Sequence, residues 1–96
     1  MALHPGAILA DELSARAMSG NRLALELGVP SGRITDILNG KRGISADTAL
    51  RLARYFGNEA QIWQIWLNLQ LLYDLELAWQ EHGREIASRV RPADAA

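Results

Sequence analysis

No cysteine occurs in the 96 residues. That excludes disulfide scaffolds, thiol catalysis and zinc ribbons, and it points to a reducing, intracellular setting. Histidine is nearly as scarce: His4 and His82 are the only two. They are too far apart for ligand spacing, so no metal site is expected. Valine and threonine occur twice each, while alanine and leucine dominate. Strand-forming residues are thus in short supply, and the composition favours helix. No run of about 20 apolar residues exists, so no membrane span is expected. The segment Met1–Ala10 lacks a basic start, and His4, Pro5 and Gly6 interrupt its short apolar run. It does not read as a signal peptide, and the expected location is the cytoplasm. Catalytic signatures are also missing. There is no nucleophile elbow and no paired-carboxylate cleft, and Gly40-Lys41-Arg42-Gly43 is too short for a phosphate-cradling loop. The chain reads as a non-enzyme without a cofactor.

What is present is an ordinary globular balance, 49% apolar against 22% charged. The length suits one domain spanning 1–96. A chain this short buries only about two-thirds of its unfolded surface, so a partner would add stability. Net charge is −1, but it is unevenly spread. Residues 1–57 hold seven Lys/Arg against five Asp/Glu, a balance of +2, and residues 58–96 hold three against six, a balance of −3. Within the first half, Ser19–Arg42 carries Arg22, Arg33, Lys41 and Arg42 against Glu26 and Asp36. A mild positive field of this kind suits specific DNA binding by a dimer better than non-specific coating.

Glycine and proline punctuate the chain into pieces of helix length. The first piece runs from Pro5, a good first-turn residue, to about Ala17, with Ile8, Leu9, Leu13 and Ala17 at helical spacing. Ser19 is the expected N-cap of the second, and Gly28 its left-handed terminator. The third covers about Ser31–Leu38, with Ile34, Ile37 and Leu38 facing inward and Asn39-Gly40 closing it. The fourth comes after Ser45, with Asp47 in its first turn, where the helix dipole favours a carboxylate. Its expected inner face is Ala49, Leu50, Leu52, Ala53 and Phe56, and Gly57 stops it. The fifth is long, about 59–82, with Gly83 as terminator, Arg84–Val90 as a weak further turn or two, and Arg91–Ala96 frayed. Within it, Leu67–Leu71 and Tyr73–Leu77 alternate like strands. More than 20 residues without a breaker or hairpin turn nevertheless predict helix.

Two short helices joined by a glycine-containing turn make a helix-turn-helix. Here the unit is 20–38, with Gly28-Val29-Pro30 as the turn and Leu23, Ala24, Val29, Ile34 and Ile37 spaced to form its core. The second helix then offers Ser31, Gly32, Arg33, Thr35 and Asp36 outward. Arginine can take the two acceptors of guanine, serine and threonine can read several base edges, and aspartate can accept from the cytosine amine. Phosphate contacts are expected from the start of the first helix, Ser19, Gly20, Asn21 and Arg22, whose free N–H groups point outward. They are also expected from the loop residues Asn39, Lys41 and Arg42.

The pattern as a whole resembles a known family over nearly its full length. The carriers are His4-Pro5-Gly6, Asn21-Arg22-Leu23-Ala24, Leu27-Gly28-Val29-Pro30 and Asn39-Gly40-Lys41-Arg42-Gly43-Ile44. Ala46–Ala53, Trp66-Leu67-Asn68-Leu69-Gln70 and Tyr73-Asp74-Leu75 complete it. They are similar to the HigA antitoxins, the virulence-associated-protein-I branch of the lambda-repressor-like (XRE) helix-turn-helix proteins. The resemblance implies an all-α, five-helix fold with a long C-terminal helix. It implies a DNA-binding antitoxin that represses its own operon and neutralises a HigB-type messenger-RNA endonuclease; beside it, a homodimer on an operator palindrome in double-stranded DNA is expected, with two recognition helices one turn of DNA apart. Two positions depart from the family pattern. Gly20 stands where glutamine is common, and Gln61–Trp66 is a tandem triplet where one aromatic-Trp unit is usual. Three added helical residues would rotate the rest of the helix by about 60° and advance it by about 4.5 Å, unless the connection after Gly57 absorbs them.

The long helix is apolar over more than one face, and four small helices can cover only one side. Trp63, Trp66, Leu69, Leu72, Tyr73 and Trp79 are therefore expected to meet a second chain, another copy or a foreign partner. Two other readings of the chain are a helix-turn-helix regulator with no toxin partner and a helical interaction module that does not bind DNA. Salt-dependent binding to its own promoter separates the last from the rest, and an adjacent small toxin gene separates the first.

Overall fold

A computed structural model describes residues 3–57 and 62–93, with the side chains of 62 and 63 left aside. Asn58 and Glu59 of the expected connection, Gln61 of the tandem triplet, the side chain of Trp63 and the end of the expected frayed tail lie outside the described residues. Five helices succeed one another: α1 (Pro5–Ala15), α2 (Gly20–Leu27), α3 (Ser31–Leu38), α4 (Ala46–Phe56) and α5 (Ile62–Arg89). Among the described residues none is in a strand, and no helix is long and apolar enough to cross a membrane.

The starts of α1, α2 and α4 arise from local chemistry. His4 caps α1, its Nδ1 accepting from the Gly6 N–H at 2.9 Å. Ser19 and Ser45 cap α2 and α4 through hydroxyls that accept from Arg22 and Thr48 N–H, each cap worth about 1 kcal/mol. The α1–α2 turn begins earlier than the spacing predicts. Arg16 and Ala17 leave the helix, Ala17 takes φ +52°, and its side chain is exposed. Gly28 ends α2 at φ +71°, ψ +36°, a conformation that costs an L side chain but not glycine.

The core is made by Leu9, Leu13, Leu23, Ala24, Leu27, Ile34, Ile37, Ile44, Ala49, Leu52 and Trp66. Of the residues predicted to join the two short helices, Leu23, Ala24, Ile34 and Ile37 are buried and Val29 is partly so. Leu50 is a correction. At 58% exposure it lies outside the core, because Ala49, Leu52 and Ala53 already define the buried face of α4 and Leu50 falls off that arc.

The long helix differs from expectation at its far end. It passes through Gly83 and continues to Arg89. A helix-interior glycine costs only about 1 kcal/mol. Here the Trp79 ring lies against the bare Cα, within 3.0–3.3 Å of where a Cβ would stand. Arg89 and Glu85, four apart, pair beyond it at 3.7 Å. Three contacts fix the first half of α5 to the body. Trp66 is 6% exposed in the core. Tyr73 meets the His4 ring edge-on at 4.8 Å. Gln70 Oε1 accepts from the Ile44 N–H at 2.7 Å.

Candidate nucleic-acid interface

Of the five α3 residues expected to point outward, three are exposed and two are half-buried. Ser31, Gly32 and Thr35 are exposed on α3, and nothing lies within 4 Å of where a Cβ of Gly32 would stand. Small and short side chains at these positions leave room for a base edge. Asp36 and Arg33 are half-buried, because each is engaged by a neighbour. Arg42 Nη2 lies 3.5 Å from Asp36 Oδ2. Arg33 Nη1 donates to Asp47 Oδ2 at 2.7 Å.

Asp47 is the electrostatic centre of this face, a role that its sequence position alone does not assign. Its Oδ2 also accepts from Arg51 Nε at 2.9 Å, and Arg51 Nη1 donates to the Leu27 carbonyl at 2.7 Å. The Leu27 carbonyl is one of the last of α2, left without a partner inside its own helix. A chain of polar contacts therefore runs from the end of α2 through Arg51 and Asp47 on α4 to Arg33 on α3. The hydrogen bond from Arg51, and then that from Arg33, hold the Asp47 carboxyl below the usual aspartate range. The i,i+4 spacing of Asp47 and Arg51 is a legible sign of the first link. The 14-residue step to Arg33 is not.

Of the expected phosphate contacts, Ser19 uses its hydroxyl as the α2 cap and Arg22 pairs with Glu26 at 2.9 Å. Asn21, Asn39, Lys41 and Arg42 are exposed. Among the described residues Lys41 has no acidic partner within ion-pair distance. A Cβ at Gly20 would meet Leu38 at 2.9 Å and Ile34 at 3.5 Å, so the helix start packs closely on α3. The loop Asn39–Ile44 is set from beneath. The Gln70 carboxamide fills the space where a Gly43 Cβ would stand, at 2.9–3.0 Å, while binding the Ile44 N–H. The two most distinctive sequence motifs, the Asn-Gly-Lys-Arg-Gly-Ile loop and Trp-Leu-Asn-Leu-Gln, are thus one contact in space.

The structure divides the six residues expected to meet a second chain. Trp66 is corrected to the chain's own core, and Leu69 packs against that core. Both are used in holding α5 to the body. Tyr73 is half-buried beside His4. Leu72 and Trp79 are exposed, Trp79 at 70%, and Trp63 lies outside the described side chains. Ile65, Leu75 and Ile86 join Leu72 and Trp79 on the exposed surface.

Comparison with known proteins agrees with this architecture. The HTH_3 family model, "Helix-turn-helix", matches residues 13–63, just over half of the chain. Virulence-associated protein I of Dichelobacter nodosus is 51% identical over 81 residues, 83% of this chain and 72% of that protein. A HigA-family addiction module antidote protein from Coxiella burnetii superposes with TM-score 0.89 at 48% identity, covering 97% of this chain and all of the other. Antitoxin HigA of Pseudomonas aeruginosa, solved with the higBA promoter, superposes with TM-score 0.91 at 40% identity, covering 98% of this chain and all of the other. The helix-turn-helix match, superpositions this close and identities of this size over these lengths make the chain a member of the HigA antitoxin family of helix-turn-helix proteins.

Proposed function

We propose that the chain is the antitoxin of a type II toxin-antitoxin module, acting in the cytoplasm without catalysis. It binds operator DNA through α3 and neutralises a HigB-type messenger-RNA endonuclease. The observation that carries this reading is the exposed Ser31, Gly32 and Thr35 face of α3 with the half-buried Arg33 beside it, in a fold shared with an antitoxin solved on its promoter. Ser31, Gly32, Arg33, Thr35 and Asp36 read bases. Lys41, Arg42, Asn39 and the start of α2 (Ser19, Gly20, Asn21, Arg22) meet phosphates. Two copies bind together, and the exposed residues of α5 support the pairing. Ile65, Leu72, Trp79 and Ile86 recur every seven residues, the spacing that keeps one helix face against a partner.

The test is binding of the full chain to the DNA upstream of its own gene against random duplex of equal length, at several salt concentrations. Operator affinity should exceed random affinity by a factor of about 10³ or more. Arg33→Ala should cost about 1–3 kcal/mol and relax one position, whereas Lys41→Ala should weaken all duplexes alike. Equal affinity for both duplexes would overturn the DNA-binding reading. For the toxin, co-expression with the product of the adjacent reading frame should give a stable complex and restore growth. Toxicity undiminished by this chain would overturn that part.

A further inference from the structure

Arg33 and Asp47 form a pair whose arrangement bears on how DNA is discriminated, not only on how it is bound. Arg33 Nη1 is taken by Asp47 Oδ2 at 2.7 Å. Among the described residues, Nη2 and Nε of Arg33 have no hydrogen-bond partner, and the side chain keeps 29% of its exposure. Asp47 cannot easily follow Arg33 away from this position. Arg51 Nε holds the same Oδ2 at 2.9 Å, and Arg51 is itself fastened to the Leu27 carbonyl at 2.7 Å.

We propose that Asp47 is a positioning residue for sequence readout. It stays paired with Arg33 on DNA, presents the Nε/Nη2 edge of that guanidinium to a base with two acceptors, and keeps Arg33 off the phosphates. The inference rests on the DNA-binding reading above and deepens it.

The physical case has two parts. A free arginine loses much rotameric freedom when it binds. One already held by Asp47 has lost most of it in the unbound protein, so a matching base gains more. A free arginine can also turn to the nearest phosphate on any sequence. One held by Asp47 must break an ion pair to do so. An acid that merely opposed Arg33 in the free protein, and released it on binding, would tax operator and random DNA together and could not improve their ratio. Only a pair kept in the complex separates the two. The Nη2/Nε edge left open matches the paired O6 and N7 acceptors of guanine. The depressed pKa of Asp47 keeps its carboxylate charged wherever the protein is folded near neutral pH.

The experiment uses the full chain and two duplexes: one selected by the parent protein from a random-sequence pool, and one random. Asp47→Asn should lower affinity for the selected duplex and raise affinity for the random one, each by about two- to five-fold, the range of an exposed ion pair. The random-duplex salt slope should steepen by about one unit, the mark of one added phosphate contact. In an Arg33→Ala background Asp47→Asn should change neither affinity by more than the general effect of removing one negative charge, and that effect should be equal on both duplexes. Asp47→Asn raising both affinities equally with Arg33 present would reduce Asp47 to simple repulsion and overturn the proposal. So would an effect on discrimination that survives Arg33→Ala. A parent protein that enriches no sequence from the pool would overturn the DNA-binding reading itself, and this inference with it. Circular dichroism with unchanged helix content would exclude loss of the α4 start as the cause.

Discussion

A side chain at position 6 would collide with the carbonyl of Ile37, so α1 and the end of α3 approach as closely as two backbones allow. Gly6→Ala is expected to cost about 1–3 kcal/mol, in the range of overpacked core positions, and thermal or urea unfolding would measure it. Asp47 gives the second expectation at this scale. Its carboxyl is depressed in the folded chain by Arg51 and then Arg33. The stability it adds is therefore fully present above the ordinary aspartate value of about 3.9. It is lost as pH falls through the lower folded value. The unfolding midpoint of Asp47→Asn should lie below that of the parent by a constant amount from pH 8 to about pH 5, and the gap should close progressively as the pH falls below the ordinary aspartate value and through the lower folded one. A gap that widens on acidification would mean that the pair is not what holds Asp47 charged. Single residues are legible in the sequence where the chemistry is local: the Ser19 cap, the Gly28 terminator and the Ser45 start. Asp47 reads there only as a helix-dipole partner, because its bond to Arg33 depends on how α3 and α4 cross, and no spacing rule carries that. Leu50 is misplaced by its spacing for a related reason. Periodicity gives a face about 100° wide, and only packing says where its edges fall.

At the scale of elements, α5 is two helices in one. One face of its first half is held by Trp66, Gln70 and Tyr73, and another face, with Ile65, Leu72, Trp79 and Ile86, is an uncovered apolar seam along its length. All three anchors lie downstream of the first Gln61-Ile62-Trp63 unit. They set the register of α5 against the body, so the first unit of the tandem does not stand between the body and the seam. Removing residues 61–63 is accordingly expected to leave the seam's orientation unchanged, in contrast to the 60° turn that the sequence suggests. Leu72→Lys, placed on the seam and away from the anchors, should instead shift the chain from dimer to monomer with its helix content preserved. Sedimentation and circular dichroism would check both variants. The excess of apolar residues is legible in the sequence. Its division between core and seam is not, since Trp66 and Trp79 are equally apolar and only the three-dimensional crossing of α5 over α1 and α4 separates them.

For the whole molecule, a two-fold dimer must offer its two α3 helices about 34–36 Å apart, or a whole number of turns further, to meet successive major grooves on one side of the duplex. Footprinting on the upstream DNA should show two inverted half-sites with centres about 10 base pairs apart, or a further turn away. Leu72→Lys should protect a half-site only at much higher concentration. Protection of one isolated half-site by the parent protein as a monomer would contradict the two-fold arrangement. The fold class, the five-helix order and the position of the helix-turn-helix are all open to reading from sequence, because capping and periodicity are local. The spacing of two reading heads belongs to the pair and is written in no single chain.

Among the described residues, the Gln70 carboxamide makes the only hydrogen bond that ties α5 to the helix-turn-helix half of the molecule. Its oxygen holds the Ile44 amide hydrogen, and its nitrogen donates to Asp74 at 3.0 Å, one turn closer to the seam. That amide proton is consequently a gauge. It can exchange with solvent only when α5 lets go of the loop that carries Lys41 and Arg42, so its exchange rate counts how often α5 and the loop part company, with no DNA or partner in the tube.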